Sequence, residues 1–127
     1  MNSIIMGFDF GMKRIGVAVG QKVTQTASGL TVVQACDGIP RWEYLDKIVL
    51  DWQPEKFIVG LPLNMDGSKS EMSQKAHKFS RRMSSRYNIQ SEMFDERLTS
   101  FEAREHEEKT NIDAIAARLI LESWLRE

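Results

Sequence analysis

Cysteine is almost missing: Cys36 is the only one in 127 residues. No internal disulfide and no thiolate metal cage can form, which suits a reducing compartment and predicts a cytoplasmic protein. Cys36 itself reads as a small apolar filler within a strand. Long apolar runs are also missing. The longest are a handful of residues, such as Ile15 to Val19 with a glycine inside, and they predict no membrane span. No basic residue precedes the first apolar stretch, Ile4-Ile5, so a secretory signal is not expected. Internal repeats, low-complexity tracts and Gly/Ser linkers are lacking. At 42% hydrophobic and 28% charged residues, the composition excludes wholesale disorder and coiled-coil character. What is left is a single domain over residues 1–127, large enough to bury a core of its own.

Excess charge of one sign is absent too, with a formal net charge of −1, yet the charges are segregated. Between Ser68 and Asn88 six basic residues (Lys69, Lys75, Lys78, Arg81, Arg82, Arg86) face one acid, Glu71. Between Glu92 and Lys109 seven acids outnumber three bases. Local fields rather than the sum decide what docks where.

The periodicity predicts a mixed α/β domain. Ile4, Met6 and Phe8 alternate with Ile5, Gly7 and Asp9, and a turn at Phe10-Gly11-Met12-Lys13 leads into Ile15–Val19, which makes a β-hairpin. Glycines at 7, 11, 16 and 20 weaken such strands unless something must approach the backbone closely. A third strand is expected around Leu30–Gln34. A first helix carries Trp42, Leu45, Ile48, Val49 and Trp52 at helical spacing between Pro40 and Pro54. Lys56–Gly60 reads as a central strand buried on both faces. After a loop over Leu61–Gly67, Ser68 and Glu71 match a capping box opening a long helix. The apolar stripe of that helix is Met72, Ala76, Phe79, Met83 and Tyr87, with Lys75, Lys78, Arg82 and Arg86 on another face. Ile89–Phe94 reads as a strand. Thr99 with Glu102 and Thr110 with Asp113 mark two C-terminal helices, the last turning Ile112, Ile115, Ala116, Leu119, Ile120 and Trp124 inward.

Ligands of such sheets gather outside the carboxyl ends of the parallel strands, and acids are placed to converge there. Asp9 ends the first strand, Asp95 and Glu96 end the last, and Asp113 sits in the first turn of the final helix. Clustered carboxylates inside a fold repel one another, and divalent metal compensates them. An oxygen-only donor set selects Mg²⁺ or Mn²⁺ over zinc, and two such ions can activate water and stabilise the leaving oxygen of a phosphodiester. This chemistry needs no histidine; His77 and His106 lie in polar helical surroundings. Spacing alone leaves plainer roles open: Asp113 as a helix cap, Asp95 as a turn former, Glu96 as a partner of Arg97. The glycine hairpin with Lys13 and Arg14, the Asn64–Ser68 loop leading into a helix N-terminus, and the Lys69–Arg86 face could each receive phosphate.

Four motifs taken together resemble a known family: FDFGMKRIGVAVG (Phe8 to Gly20), VGLPLNMDGS (Val59 to Ser68), DERLTSFEA (Asp95 to Ala103) and DAIAARLILESWL (Asp113 to Leu125). The chain resembles, over nearly its whole length, the YqgF/RuvX family of Holliday-junction-resolvase-like proteins, also described as pre-16S rRNA nucleases. The resemblance implies a ribonuclease H-like α/β fold: a five-stranded mixed sheet in the order 3-2-1-4-5, with helices on both faces. It implies a metal-dependent hydrolase acting on structured RNA, with Asp9, Glu96 and Asp113 as catalytic acids holding Mg²⁺ or Mn²⁺. Asp95 stays open as an alternative ligand, because adjacent strand residues face opposite sides. Lys13, Arg14, Asn64, Ser68, Lys75, Lys78, Arg82 and Arg86 are the expected substrate contacts. Expected partners are precursor rRNA, branched DNA and the ribosome, with no membrane, for a monomer or weak dimer. One departure stands out: the stretch Arg104–Asn111, commonly longer and basic in the family, is short and acidic here.

Overall fold

The computed structural model describes residues 3–61, 70–95 and 112–127. Asn64, Ser68, Glu96, the Thr99–Glu102 helix start and the Thr110 cap lie outside the described residues. Strands β1 (Ile4–Asp9), β2 (Arg14–Gln21) and β3 (Thr26–Cys36) form the antiparallel opening. They are followed by β4 (Ile39–Pro40), α1 (Trp42–Trp52), β5 (Lys56–Leu61), α2 (Glu71–Tyr87), β6 (Gln90–Asp95) and α3 (Ile112–Leu125). The sheet runs β4-β3-β2-β1-β5-β6, with β5 parallel to both β1 and β6.

The expected five-strand order is present, with one strand more. Asp37 and Gly38 both adopt positive φ, 54° and 81°, as a two-residue type I′ hairpin requires. The chain therefore doubles back and Ile39–Pro40 pairs with Ala35–Cys36 before α1 begins. The Asp-Gly dipeptide is the sequence signal for this turn. Cys36 lies in a strand as expected but is exposed there; the short β4 hairpin leaves that strand end in solvent, so it fills no core. The cap of α2 also differs from the expected one. Ser70, not Ser68, caps the helix, its Oγ accepting from Ser73 N at 3.1 Å while Ser73 Oγ accepts from Ser70 N at 2.9 Å.

Alternation along the strands sorts the core into two layers. Met6, Phe8, Val17, Val19, Phe57 and Val59 point to one face and pack against Leu45 and Val49 of α1 and Ala76, Phe79 and Met83 of α2. Phe8 stands edge-on to both Phe57 and Phe79, with ring centroids 5.7 and 5.6 Å away, the preferred geometry of aromatic pairs. Ile5, Ala18, Ile58 and Phe94 point to the other face and meet Ala117, Ile120, Leu121 and Leu125 of α3. That second layer is thin. A side chain at Gly7 would touch Leu121 Cβ at 3.0 Å, one at Gly29 the Ala114 carbonyl at 3.1 Å, and one at Gly16 would overlap the backbone carbonyl of Asp113. Gly7 and Gly16 thus answer to a close approach by α3, whereas Gly11 lies against the Arg14 backbone of its own turn and Gly20 against the Thr26 carbonyl as well as Leu121.

Candidate active site

Pairing register places the acids. Asp9 is directly opposite Gly16 in the β1–β2 ladder, and opposite residues of an antiparallel pair share a face. Gly16 turns that face to the Asp113 backbone. Asp9 also has the parity of Gly7, which lies under Ala117 and Leu121. Asp9 and the first turn of α3 therefore meet on one side of the sheet at one edge, the edge where β1 ends and β2 begins. Two residues distant in sequence are brought together because a glycine lets a helix sit on the backbone.

The far end of α3 is fixed by polar contacts. Trp124 Nε1 donates to Glu92 Oε2 at 2.7 Å, and Lys56 Nζ reaches Glu92 Oε1 at 2.7 Å while lying 5.2 Å from the Trp124 ring centre. The hydrogen bond from Lys56, aided by that from Trp124, holds the Glu92 carboxyl below its ordinary range against the opposing effect of burial. Neither this tie nor the Gly16 seat is visible as a motif; the only signal was the density of glycines in β1 and β2.

On β6, Glu92 and Phe94 face α3, whereas Ser91 bonds Ser80 of α2 and Met93 packs in the layer beneath α1 and α2. Asp95, of the same parity as Ser91 and Met93, stands on the α2 side. Among the described residues no three His, Cys, Asp or Glu side chains gather closely enough to hold a metal ion. Asp9 and Asp113 offer hard oxygen donors on one face, a set that fits Mg²⁺ or Mn²⁺ and not a thiophilic metal.

The basic residues divide into two groups. Lys13 and Arg14 are exposed at the hairpin turn beside the acids, and Arg14 Nε donates to Asp113 Oδ2 at 3.0 Å. Those of α2 lie across the sheet from Asp9 and Asp113. Lys75 pairs with Asp37 at 3.2 Å, and with Lys78 and Arg82 it borders a groove of about 120 Å³ against Gly38 and Ile39. This groove opens at the same sheet edge, since β3 ends there. Arg86 lies about three helical turns beyond Lys75. It makes two 2.7 Å bonds to Asp46, which also accepts from Tyr87 Oη at 2.6 Å, and lies 4.8 Å from the Trp42 ring centre. Arg86 thus clamps α2 to α1.

That clamp has a pH signature. The hydrogen bonds from Arg86 and then Tyr87 lower the Asp46 carboxyl from 3.8 to about 2. A carboxyl depressed in the folded state contributes stability that is complete above its unfolded value and lost as pH falls through its folded one. The thermal midpoint is therefore expected to fall between about pH 4 and 2, and Asp46→Asn to flatten that part of the profile. An unchanged slope in the variant would show that other carboxyls carry the transition.

The RuvX family, described as Holliday junction resolvase, matches residues 3–127. The chain belongs to this family. Among its curated relatives, a protein of Hahella chejuensis is 53% identical over 95% of this chain and 82% of its own length. One of Saccharophagus degradans is 49% identical over 97% and 93%. Both bear the name "Putative pre-16S rRNA nuclease". Among solved structures, Thermus thermophilus RuvC superposes with a TM-score of 0.58 at 14% identity, covering 97% of this chain and 95% of that one. The RuvC complex with a Holliday junction substrate gives 0.57, also at 14% identity, over 96% and 92%. These likenesses establish the RuvX chain as a ribonuclease H-like α/β fold. Among the described residues, no helix is long and apolar enough to cross a membrane.

Proposed function

We propose that this RuvX protein is a divalent-metal-dependent nuclease that hydrolyses phosphodiesters in structured RNA, with the precursor of 16S rRNA as substrate. The observation that carries the reading is the seating of Asp113 against Gly16, directly across from Asp9, in a chain whose relatives bear the nuclease name. Asp9 and Asp113 would hold Mg²⁺ or Mn²⁺ together with Glu96, the residue that follows β6 in the sequence and the third acid of the family motifs. Asp95, on the α2 side, would then serve another purpose. When bound, the metal supplies Lewis-acid stabilisation of the phosphate and a water acidic enough to attack it.

The protein's own groups position the strand. Lys13 and Arg14 flank the acids at the hairpin turn, and the Lys75–Lys78–Arg82 groove lies around the same edge on the other face. Phosphates held at both places would bend a strand over the edge and bring the intervening linkage to Asp9. Such contacts neutralise charge without reading bases, so selection would rest on RNA shape. Asn64 and Ser68 belong to the same proposal as loop contacts, and Arg86 contributes through α2 rather than through substrate. We place the protein in the cytoplasm, as a monomer or weak dimer, acting on ribosome precursors.

The test is incubation of the purified protein with precursor rRNA and with four-way DNA junctions, in Mg²⁺, Mn²⁺ or chelator. Cleavage of the RNA that needs metal, and far outpaces cleavage of the junction, is the expected outcome. Symmetric cutting of the junction with inert RNA would favour a branched-DNA resolvase, the activity in the family description.

A further inference from the structure

The two arginine–aspartate pairs among the described residues are built differently. Arg86 grips Asp46 through Nε and Nη2 at 2.7 Å each, is joined by Tyr87, and lies against Trp42. Arg14 touches Asp113 through Nε alone, at 3.0 Å. The Arg14 side chain is 66% exposed and the Asp113 side chain 27%. A bidentate fork on an aromatic ring is made to stay closed; a single bond from an exposed guanidinium opens at little cost.

The backbone under Arg14 is nevertheless fixed. Arg14 is the first residue of β2, in register with Gln34, and the preceding carbonyl, that of Lys13, accepts from Ala35 N at 2.8 Å. Asp113 is equally fixed by Gly16. The Arg14 side chain, far more exposed than that of Asp113, extends from this fixed base at the rim of the acid site. A carboxylate on the face of Asp9 is stabilised by a cation beside it, and among the described residues Arg14 is the cation paired with Asp113.

We infer that Arg14 neutralises Asp113 in the metal-free protein, and that metal binding transfers the guanidinium from Asp113 to a substrate phosphate. This rests on the metal-dependent reading above and adds an order to it. The divalent ion and Arg14 compete for Asp113, so the strong anion-binding fork is released only when the site is loaded. The exchange breaks one hydrogen bond and forms another, with no proton moved.

Calorimetric titration with Mn²⁺ tests the competition in wild type, Arg14→Gln, Lys13→Gln and Asp113→Asn. Arg14→Gln is expected to bind Mn²⁺ roughly two- to five-fold more tightly, the range that fits loss of an exposed ion pair. Lys13→Gln removes the same charge from the neighbouring residue without the contact and should leave the affinity nearly unchanged. Equal tightening in both variants, or none in Arg14→Gln, overturns the inference while Asp113-dependent binding keeps the metal reading alive. Mn²⁺ binding that Asp113→Asn leaves untouched overturns the metal reading itself.

The transfer has a second readout, binding of a short structured RNA measured against salt in Ca²⁺ or in chelator. Each phosphate contact adds about one unit or slightly less to the slope of log affinity against log salt. Wild type should gain about one such unit when Ca²⁺ is present, and Arg14→Gln should show the same slope in both conditions. A wild-type slope indifferent to Ca²⁺ would leave Arg14 on Asp113 throughout and end the proposal.

Discussion

Replacing Asp9 by asparagine is expected to lower RNA cleavage by roughly 10²–10³-fold, the scale on which removal of one group stabilising transition-state charge is felt. The substitution keeps size and shape at the end of β1, so the ladder from Ile4↔Gln21 to Asp9↔Gly16 is undisturbed. What it removes is one negative charge from the face shared with Asp113, and with it much of the attraction for a divalent cation. Single-turnover cleavage of precursor RNA at fixed Mg²⁺, beside a thermal melt, separates the two effects. A variant that melts like wild type and cleaves within a few-fold of its rate would remove Asp9 from the chemistry.

Gly16→Ala should do comparable harm by a different route. The added methyl cannot coexist with the Asp113 carbonyl, and the Ala114 nitrogen is only 3.1 Å away. Both obstacles are backbone, so no rotamer relieves them and the first turn of α3 must lift. Overpacking of this kind costs about 1–3 kcal/mol of stability. Lifting the turn also withdraws Asp113 from Asp9, and a displacement near 1 Å at a reacting site can cost about 10²-fold in rate. The diagnostic comparison is Val49→Ala, which loosens the α1 layer on the opposite face. Denaturant unfolding should report a loss in both variants, whereas cleavage per folded molecule should fall only in Gly16→Ala. Equal specific activities would mean that the α3 position does not govern the site.

The two substitutions probe different levels of the molecule. Asp9 is a residue whose chemistry can be named from its type and its place at a strand end. Gly16 is a residue whose importance lies wholly in what it does not carry.

The sequence by itself determined the alternation of Met6, Phe8 and Val17 with their neighbours, the stripe of α2, the succession of strands and helices along the chain and the polarised charge, because these depend on local period and composition; the order of strands across the sheet came only from the family resemblance. It also singled out Asp9 at a strand end, whereas Asp113 read equally well as a helix cap and only the family motifs set the two acids together. It pointed to the wrong serine as the cap of α2, since Ser68 with Glu71 matches the usual box while the pairing that forms is the less conspicuous one of Ser70 with Ser73. Nor could it separate Arg86 from Lys78 and Arg82, three basic residues on one helix, because whether a cation is spent on Asp46 or left at a groove depends on what the facing element presents. The hairpin glycines signalled a close approach, for which a phosphate was the candidate the sequence offered. Packing shows α3 over Gly7 and Gly16, because only the assembled sheet shows which backbone lies beneath Asp113.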